Sequence, residues 1–215
     1  AKVSFIEEEV KDIDFNLKKI VLSNRPSVNY SKLVLNYGSQ TIIPKEFESL
    51  VKNRNAFSIK PFLRAYDSIL KEDIFDSVNE LPFVIVGSGL AAIEVSYALR
   101  KRWGDRPLKL LCDSRKINNT ILKSLRNSNI DLVEKLNFDY GKILLCTGNT
   151  SPLWAQKKLL DSDSHGRIIT NQNLQIKSFS GIFAVGDCAV VGSAKRPASG
   201  VFAVKVVNTL VQNLK

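Results

Sequence analysis

The stretch that most limits what this chain can fold into is residues 81–100, LPFVIVGSGLAAIEVSYALR. Its apolar run Phe83–Val86 is rich in β-branched residues and has the length of a buried strand. After Gly87, Ser88 and Gly89, apolar residues recur at the spacing of one helix face. A strand, a glycine turn and a helix together form the context in which the pattern G-x-G-x-x-G/A indicates a dinucleotide-binding unit.

The small residues of this turn have separate predicted roles. Gly87 permits the tight turn, Gly89 lets the backbone approach a pyrophosphate, and Ala92 lets the helix lie close to the strand. The N–H groups at the helix start, around Leu90 and Ala91, carry the positive end of the helix dipole and are predicted to face the phosphates. The alternative is a set of glycines that only make a turn, and the strand and helix on either side argue against it.

A second predicted strand, residues 108–112, ends in Asp113. An acidic residue in this place holds the adenine ribose of a dinucleotide, although Asp113 lies further from the first glycine than the usual distance of about 20 residues. The polar loop 101–107 accounts for the excess. Asp113 favours NADH by accepting from the ribose 2′-hydroxyl, whereas Arg115 is placed to meet the 2′-phosphate of NADPH, so both cofactors stay open and NADH is preferred.

Composition narrows the class of protein. The chain has 215 residues, enough for one good core or two modest domains, with the 44% hydrophobic and 24% charged residues of an ordinary globular protein. No apolar run approaches the roughly 18 residues of a membrane span, and the acidic start resembles no signal peptide, so we expect a cytoplasmic protein. Cys112, Cys146 and Cys188 form no C-x-x-C pair, which predicts buried structural thiols and no zinc site.

Charge is the feature that suggests a nucleic-acid partner. The net charge is +10, and the basic cluster comprises Arg100, Lys101, Arg102, Arg106 and Lys109. Cations near a helix C-terminus are favoured by the helix dipole, and net charge alone defines no partner. We therefore predict a solvated loop whose cations favour the helix dipole, and no nucleic-acid binding. No motif of a metal enzyme, an esterase or a P-loop NTPase occurs, so we assign no catalytic side chain and no metal ligand.

The predicted elements change character along the chain. Residues 1–37 predict a β-hairpin and a third strand, and residues 44–76 predict a helical connector. Strands alternate with helices over residues 81–148, which implies a parallel sheet with right-handed crossovers. From Gly166 three strand-like segments follow, GRIIT, LQIKS and GIFAVG, and then a helix over residues 201–214.

Four motifs resemble the pyridine nucleotide-disulfide oxidoreductase superfamily, most of all its type II NADH dehydrogenases and the flavoprotein domain fused to selenide, water dikinase. The motifs are YSKLVLNYGS at residues 30–39, FVIVGSGLAAIE at 83–94, ILLCTGNTSP at 143–152 and GIFAVGDCA at 181–189, the last followed by RPASGVFAV at 196–204. In the order of the family they are similar to the crossing from the FAD half to the NAD half, the NAD(P)H fingerprint, the crossing back and the late FAD motif.

The resemblance implies an α/β fold in which a Rossmann-like three-layer NAD(P)-binding domain is inserted in a partial FAD-binding domain. The implied boundaries are residues 1–80 and 149–215 for the FAD-binding parts and 81–148 for the NAD(P)-binding domain. The implied cofactors are FAD and NAD(P)H. The implied activity is hydride transfer from NADH to the flavin, which passes the electrons to a quinone or another acceptor.

The resemblance also implies cofactor contacts. Glu94 matches a glutamate near the nicotinamide, and Asp187 matches an aspartate that accepts hydrogen bonds from the ribityl chain of FAD. The backbone N–H groups of a helix start face the flavin pyrimidine edge, where they stabilise the negative charge of the reduced ring. The remaining implied cofactor-binding residues are Thr147, Gly148, Gly186, Gly200, Val201 and Phe202.

The sequence also departs from the family pattern. The family begins with its own G-x-G-x-x-G unit for the FAD pyrophosphate, which has no counterpart here, and the segment between Val133 and Lys142 is short. We therefore expect a fragment of a longer flavoprotein that binds FAD weakly or is inactive alone. The alternative is a non-catalytic dinucleotide-binding or regulatory module linked to selenium metabolism. A fused or associated selenide, water dikinase domain, a homodimer and peripheral membrane association of the longer parent stay open.

Overall fold

The computed structural model describes residues 3–74, 81–152, 155, 160–192 and 200–214. By their internal contacts they form two compact units, a central unit, Gln40–Asn149, and a terminal unit made of Ala1–Ser39 and Thr150–Lys215. The central unit is therefore inserted in the sequence of the terminal unit, as the predicted fold requires. The predicted boundaries at 80/81 and 148/149 concern which cofactor each segment binds, and they stay a prediction.

The terminal unit begins with a three-stranded antiparallel sheet in the order β1–β2–β3. Its strands are β1 Val10–Asp14, β2 Lys19–Leu22 and β3 Val28–Asn29. The Asp14 side chain closes the hairpin, because its Oδ1 accepts the N–H groups of Asn16 at 3.0 Å and Leu17 at 2.9 Å. The predicted hairpin is confirmed, and the predicted third strand appears as β4 Leu33–Leu35.

A five-stranded parallel sheet forms the middle of the central unit, in the order β6–β10–β7–β8–β9. Its strands are β6 Ala56–Ser58, β7 Phe83–Val86, β8 Leu108–Leu111, β9 Ile130–Val133 and β10 Ile143–Leu145. A separate short pair consists of β5 Gln40–Thr41 and β11 Asn149–Thr150. Because β7 and β8 are parallel neighbours, the residues that follow them lie at the same edge of the sheet.

Helices cover both faces of this sheet. They are α1 Lys45–Lys52, α2 Phe62–Ile74, α3 Leu90–Trp103 and α4 Asn119–Asn127. Phe83 and Ile85 belong to the core cluster under α2, α3 and α4, whereas Val84 and Val86 belong to the cluster under α1. Successive strand residues point to opposite faces, so a strand covered on both faces is apolar throughout. The predicted α/β fold with a Rossmann-like three-layer domain is confirmed.

Strand β6 corrects the predicted helical connector over residues 44–76. It lies between α1 and α2 and pairs in parallel with β10 at the edge of the sheet. Three residues are too few to show the alternation of a strand, and the flanking residues carry helical patterns. The connector is therefore a helix–strand–helix segment.

The predicted basic cluster makes contacts inside the central unit. The Arg106 side chain is buried, donates to Glu72 Oε2 at 3.1 Å and lies over the Trp103 ring, 4.5 Å from its centroid. Arg102 Nε donates to Asp73 Oδ1 at 2.8 Å, and the Trp103 ring N–H donates to the same oxygen. These contacts join the C-terminal ends of α2 and α3. The burial of Arg106 corrects the prediction that the loop is solvated, because its charge is paired with Glu72 inside the unit.

The remaining elements of the terminal unit are β12 Ile168–Thr170, β13 Ile182–Ala184, β14 Ala189–Val191, α5 Gly200–Lys205 and α6 Val207–Leu214. Strand β13 pairs in parallel with β4, and β12 pairs in parallel with β14. The core of this unit is built from Ile13, Leu35, Ile168, Ile176, Ile182 and Ala184.

Two predictions for this part of the chain are wrong. The segment LQIKS makes only isolated bridges through Gln175 and Ile176, because Asn171 Oδ1 accepts the Gln175 N–H at 3.0 Å and turns the chain instead. The single helix predicted over residues 201–214 is divided into α5 and α6. The β-branched residues Val206 and Val207 lie at the division and lower the helix propensity there.

The buried strand β10 generates a first prediction. We expect Leu144→Ala, which removes a fully buried side chain, to lower the free energy of unfolding by about 2–5 kcal/mol. The matched control is Leu63→Ala, since Leu63 is 77% exposed on α2 and its truncation should change stability by no more than about 0.5 kcal/mol. Urea unfolding followed by circular dichroism measures both, and equal losses would contradict the placement of β10 in the core.

Candidate functional site

The glycine turn after β7 is shaped by a close approach to β10. Gly87 has a φ of +148°, and a Cβ placed there would lie 2.4 Å from the carbonyl oxygen of Cys146 and 3.2 Å from the Ala92 Cβ. The Gly87 N–H donates to the Leu111 carbonyl at 3.0 Å, so the turn also closes on β8. No other residue fits at Gly87 without moving the backbone, in agreement with the predicted tight turn.

Gly89 differs from Gly87 because the packing of the protein itself would allow a larger residue at position 89. It caps α3 with φ −91° and ψ 173°, and a Cβ there would meet nothing within 4 Å. The space in front of Gly89 is therefore open, as the predicted close approach of a pyrophosphate requires. The first N–H groups of a helix have no acceptor inside it, so those of the turn that begins at Leu90 are available to an anion.

Ser88 joins the turn to the end of β8. Its Oγ accepts the N–H of Asp113 at 2.9 Å, which holds the start of the following loop beside the glycines. The Arg115 guanidinium donates to both carboxylate oxygens of Asp113, at 2.9 and 3.1 Å, and lowers the pKa of Asp113 to about 2. Asp113 is therefore ionised at neutral pH and lies next to the turn, where an adenine ribose is predicted.

A cavity of about 810 Å³ opens in the central unit at this edge of the sheet. Four of the predicted site residues line it, namely Gly87, Ser88, Asp113 and Thr147. Sequence reasoning placed no site residue in α1 or in residues 134–140, yet both contribute to the wall, with charged side chains at Glu46, Glu134 and Lys135 and apolar ones at Phe47, Leu50, Leu136 and Tyr140. A volume of this size is typical of a small-molecule site.

Other predicted residues of the central unit, Gly89 among them, do not line this cavity. Leu90, Ala91 and Glu94 are exposed along the first turns of α3, and Ala92 is buried against the strand. Gly148 has φ +99°, and its carbonyl accepts the Ile42 N–H at 3.1 Å. The Thr147 hydroxyl donates to the Ile42 carbonyl. Thr147 thus joins the cavity to the segment that follows β5, whereas the nicotinamide contact of Glu94 stays a prediction.

The predicted flavin residues of the terminal unit meet at the ends of β4 and β13. Gly186, with φ +71°, approaches Asn36 so closely that a Cβ would lie 2.5 Å from the Asn36 Oδ1. The Ser39 hydroxyl donates to Asp187 Oδ2 at 3.5 Å, and the Asp187 side chain is partly buried. Parallel pairing explains the meeting, because both strands end at the same edge. Ser39 lies inside the YSKLVLNYGS motif, which was the signal available for it.

Helix α5 contacts the turn that contains Gly186 and Asp187. It begins at Gly200, followed by Val201 and Phe202, which are the predicted helix-start residues. The first four residues of the motif RPASGVFAV, residues 196–199, lie outside the described residues. The assignment of these N–H groups to the flavin stays a prediction.

The three thiols are buried, as predicted. Burial raises the pKa of Cys146 to about 12 and that of Cys188 to about 11, and it also raises the pKa of Cys112. Cys188 lies beside Asp187, and its Sγ donates to the Val185 carbonyl at 3.1 Å. These thiols are protonated at neutral pH, which is the state of a packing residue and not of a nucleophile.

Two kinds of feature are absent from the described residues. Within residues 3–74, 81–152, 155, 160–192 and 200–214, no cluster of three or more histidine, cysteine, aspartate or glutamate side chains is arranged to hold a metal ion. Over the same ranges, no helix has the length and apolar character needed to cross a membrane.

The fold is that of FAD- and NAD(P)-binding oxidoreductases. No family model matches the chain. The sequence is 25% identical to human ferroptosis suppressor protein 1, over 100% of this chain and 65% of that protein. It is 24% identical to the demethylphylloquinone reductase NdbB of Synechocystis, over 92% of this chain and 56% of that protein.

The structure is similar to that of an engineered water-forming NADPH oxidase bound to NADPH. The TM-score is 0.75 at 21% identity, and the match covers 96% of this chain and 52% of the oxidase. The resemblance to pyridine nucleotide-disulfide oxidoreductases and NADH dehydrogenases is thereby confirmed. The chain spans about 65% of the length of the human relative and less of the other two.

The two glycines of the turn generate a second prediction. We expect Gly87→Ala to lower stability by about 1–3 kcal/mol or more, because its methyl group would overlap the Cys146 carbonyl. Gly89→Ala should lower the free energy of unfolding by no more than about 1 kcal/mol, since the added methyl group enters open space at the N-cap of α3. Gly89→Ala should instead weaken NAD⁺ binding at least tenfold, measured by isothermal titration calorimetry. Unchanged affinity in Gly89→Ala would remove Gly89 from the site.

Thiol burial generates a third prediction. In the native protein at pH 8, we expect Cys112, Cys146 and Cys188 to react with Ellman's reagent at least a hundredfold more slowly than in guanidinium chloride. The reason is that raised pKa values keep the thiols protonated and burial excludes the reagent. Each native rate is assigned by mass spectrometry. Rapid native labelling of any one of the three would show that this cysteine is accessible and reactive.

Proposed function

We propose that this chain carries the cofactor-binding elements of an FAD-dependent NAD(P)H oxidoreductase of the NADH dehydrogenase type. The observation that carries the proposal is the cavity at the carboxyl edge of the parallel sheet, which Gly87, Ser88 and the ionised Asp113 line. The next residue of the turn, Gly89, faces open space. Ligands of open α/β sheets bind in this position.

In the proposed site, the central unit holds the nicotinamide dinucleotide. The backbone N–H groups from Gly89 to Ala91 hold the pyrophosphate, because they lie at the positive end of the α3 dipole. Asp113 accepts from the adenine ribose, and the hydrogen bond from its N–H to Ser88 keeps it beside the turn. Thr147 lines the same cavity. Glu94 is assigned to the nicotinamide end by the resemblance alone.

The terminal unit is proposed to hold part of FAD. Asp187 accepts hydrogen bonds from the ribityl chain, and Ser39, which donates to its Oδ2, orients the carboxylate. Gly186 lets the backbone turn at this point, since its φ of +71° is strained for other residues. The two cofactors, when bound, supply the hydride chemistry themselves. The side chains of this chain are required only to bind and orient them, which agrees with the lack of a catalytic motif.

A quinone is the proposed electron acceptor, with other acceptors as alternatives. The support is that a relative, NdbB of Synechocystis, is named as a demethylphylloquinone reductase. A non-catalytic regulatory module is the less favoured function, because the relatives named above include reductases. Association with a selenide, water dikinase domain, a homodimer and a peripheral membrane location stay predictions of the resemblance.

The flavin half of the proposal is tested by FAD retention in equilibrium dialysis. We expect the chain to bind FAD weakly, since the family's unit for the FAD pyrophosphate has no counterpart in the sequence, and we expect Asp187→Ala to lower the FAD affinity at least tenfold. The expected loss reflects a missing charge-assisted hydrogen bond. Asp161→Ala is the matched control, because Asp161 is exposed in the same unit and should leave FAD binding unchanged.

The possible results distinguish a wrong role for Asp187 from a lack of FAD binding by the chain. Equal retention of FAD by the Asp187→Ala variant and the original chain would remove Asp187 from the site. A chain that takes up no FAD at saturating concentration, while it still binds NAD⁺, would limit the proposed function of this chain to the dinucleotide.

A further inference from the structure

The end of β4 carries a polar side chain that has no role in the proposed function. Asn36 directly follows the buried Leu35 and is itself exposed. Its Oδ1 lies against Gly186, so close that a Cβ on Gly186 would be 2.5 Å away. Among the residues that the structure describes, none forms a hydrogen bond with the Asn36 carboxamide. Its N–H donors are therefore available beside the turn that holds Asp187.

Hydrogen bonds hold the end of β4 to both flanks of this turn. The Leu35 carbonyl accepts the Val185 N–H at 3.0 Å, and the Cys188 sulfur lies 3.4 Å from the same oxygen. Because Asn36 is the next residue after Leu35, its backbone is held close to Asp187 before any ligand binds. A ligand that meets such a pre-formed pair of residues loses less affinity to the ordering of the chain.

Asn36 and Asp187 offer opposite halves of a hydrogen-bonding pair. The carboxylate of Asp187 only accepts, whereas the carboxamide of Asn36 also donates. A hydroxyl group donates one proton and keeps lone pairs that accept, so it can bond to both residues at once. A phosphate has no proton to give at neutral pH beyond its second ionisation and is repelled by a carboxylate. The pair therefore matches a polyol chain better than a phosphate.

We infer that Asn36 is a second binding residue for the ribityl chain of FAD. Its carboxamide donates to a ribityl hydroxyl whose own proton goes to Asp187, so the residues that follow β4 and β13 bind the polyol together. The inference rests on the FAD half of the proposed function. It adds a donor on β4 to the acceptor that the resemblance implies.

The test is the affinity of the full chain for FAD, measured by equilibrium dialysis. We expect Asn36→Ala to lower it about three- to tenfold, which is the effect of one hydrogen bond between neutral groups. Asn36→Asp should lower it by about tenfold or more, because the donor is replaced by a second negative charge beside Asp187. The matched control is Asn29→Ala, since Asn29 is exposed on β3 of the same unit and its truncation should change the affinity less than about twofold.

A double-mutant cycle tests whether the two residues share one hydroxyl. If they do, Asn36→Ala should lower the FAD affinity less than about twofold in the Asp187→Ala background. The urea midpoint of Asn36→Ala should equal that of the original chain, because an exposed side chain is removed. Riboflavin carries the ribityl chain and no phosphate, so Asn36→Ala should weaken riboflavin and FAD by the same factor. The cycle requires FAD alone and decides the inference even where riboflavin binds below detection.

The possible results distinguish the inference from the proposed function. If Asp187→Ala weakens FAD binding and Asn36→Ala does not, the role of Asn36 is wrong and the flavin site stands. Equal factors for Asn36→Ala in both backgrounds would show two independent contacts and overturn the shared hydroxyl. A loss of affinity for FAD but not for riboflavin would assign Asn36 to the phosphates, against the inference. If the chain binds no FAD at saturating concentration, the flavin half of the proposed function is wrong, and the role of Asn36 is wrong with it.

Discussion

The close approach of Gly87 to the Cys146 carbonyl is the constraint on which the central unit depends. At this point the ends of β7 and β10 and the start of α3 come within van der Waals distance, so the turn, the helix and the sheet edge share one geometry. The buried Ala92 at the first turn of α3 is small for the same reason. The cavity and the helix start take their places from this packing, because both lie directly beside the turn.

Predictions from sequence succeeded where a residue type is required by the backbone. The sequence predicted the glycine turn, the buried strand β7 and the order of strands and helices after it. Only a few residue types satisfy such close packing or burial on both faces of a sheet. The insertion of one unit in another followed from the order of the family-like motifs. Strands β6 and β14 were not predicted, because β6 lies between two helical patterns and β14 directly follows the turn at Gly186–Cys188.

The candidate site was less predictable than the fold. Asp113 and Thr147, both predicted from local motifs, lie in the cavity wall, whereas α1 and residues 134–140 reach that wall through tertiary packing that no local pattern reports. The contacts of Ser39 with Asp187 and of Asn36 with Gly186 join segments far apart in sequence. The sequence places Arg115 two residues after Asp113. It does not predict that the guanidinium donates to both carboxylate oxygens, because that depends on the side-chain geometry.

The parallel pairing of β4 with β13 has a consequence for the order of assembly. The residues of the central unit come between these strands, and its pairs β7–β8 and β8–β9 bring together segments that are close in sequence. During synthesis, Leu33 cannot pair with Ile182 until Ile182 has been synthesised. By then the whole of the inserted unit has already been synthesised. The edge that brings Ser39 to Asp187 is therefore completed late, on a chain whose middle has had time to fold.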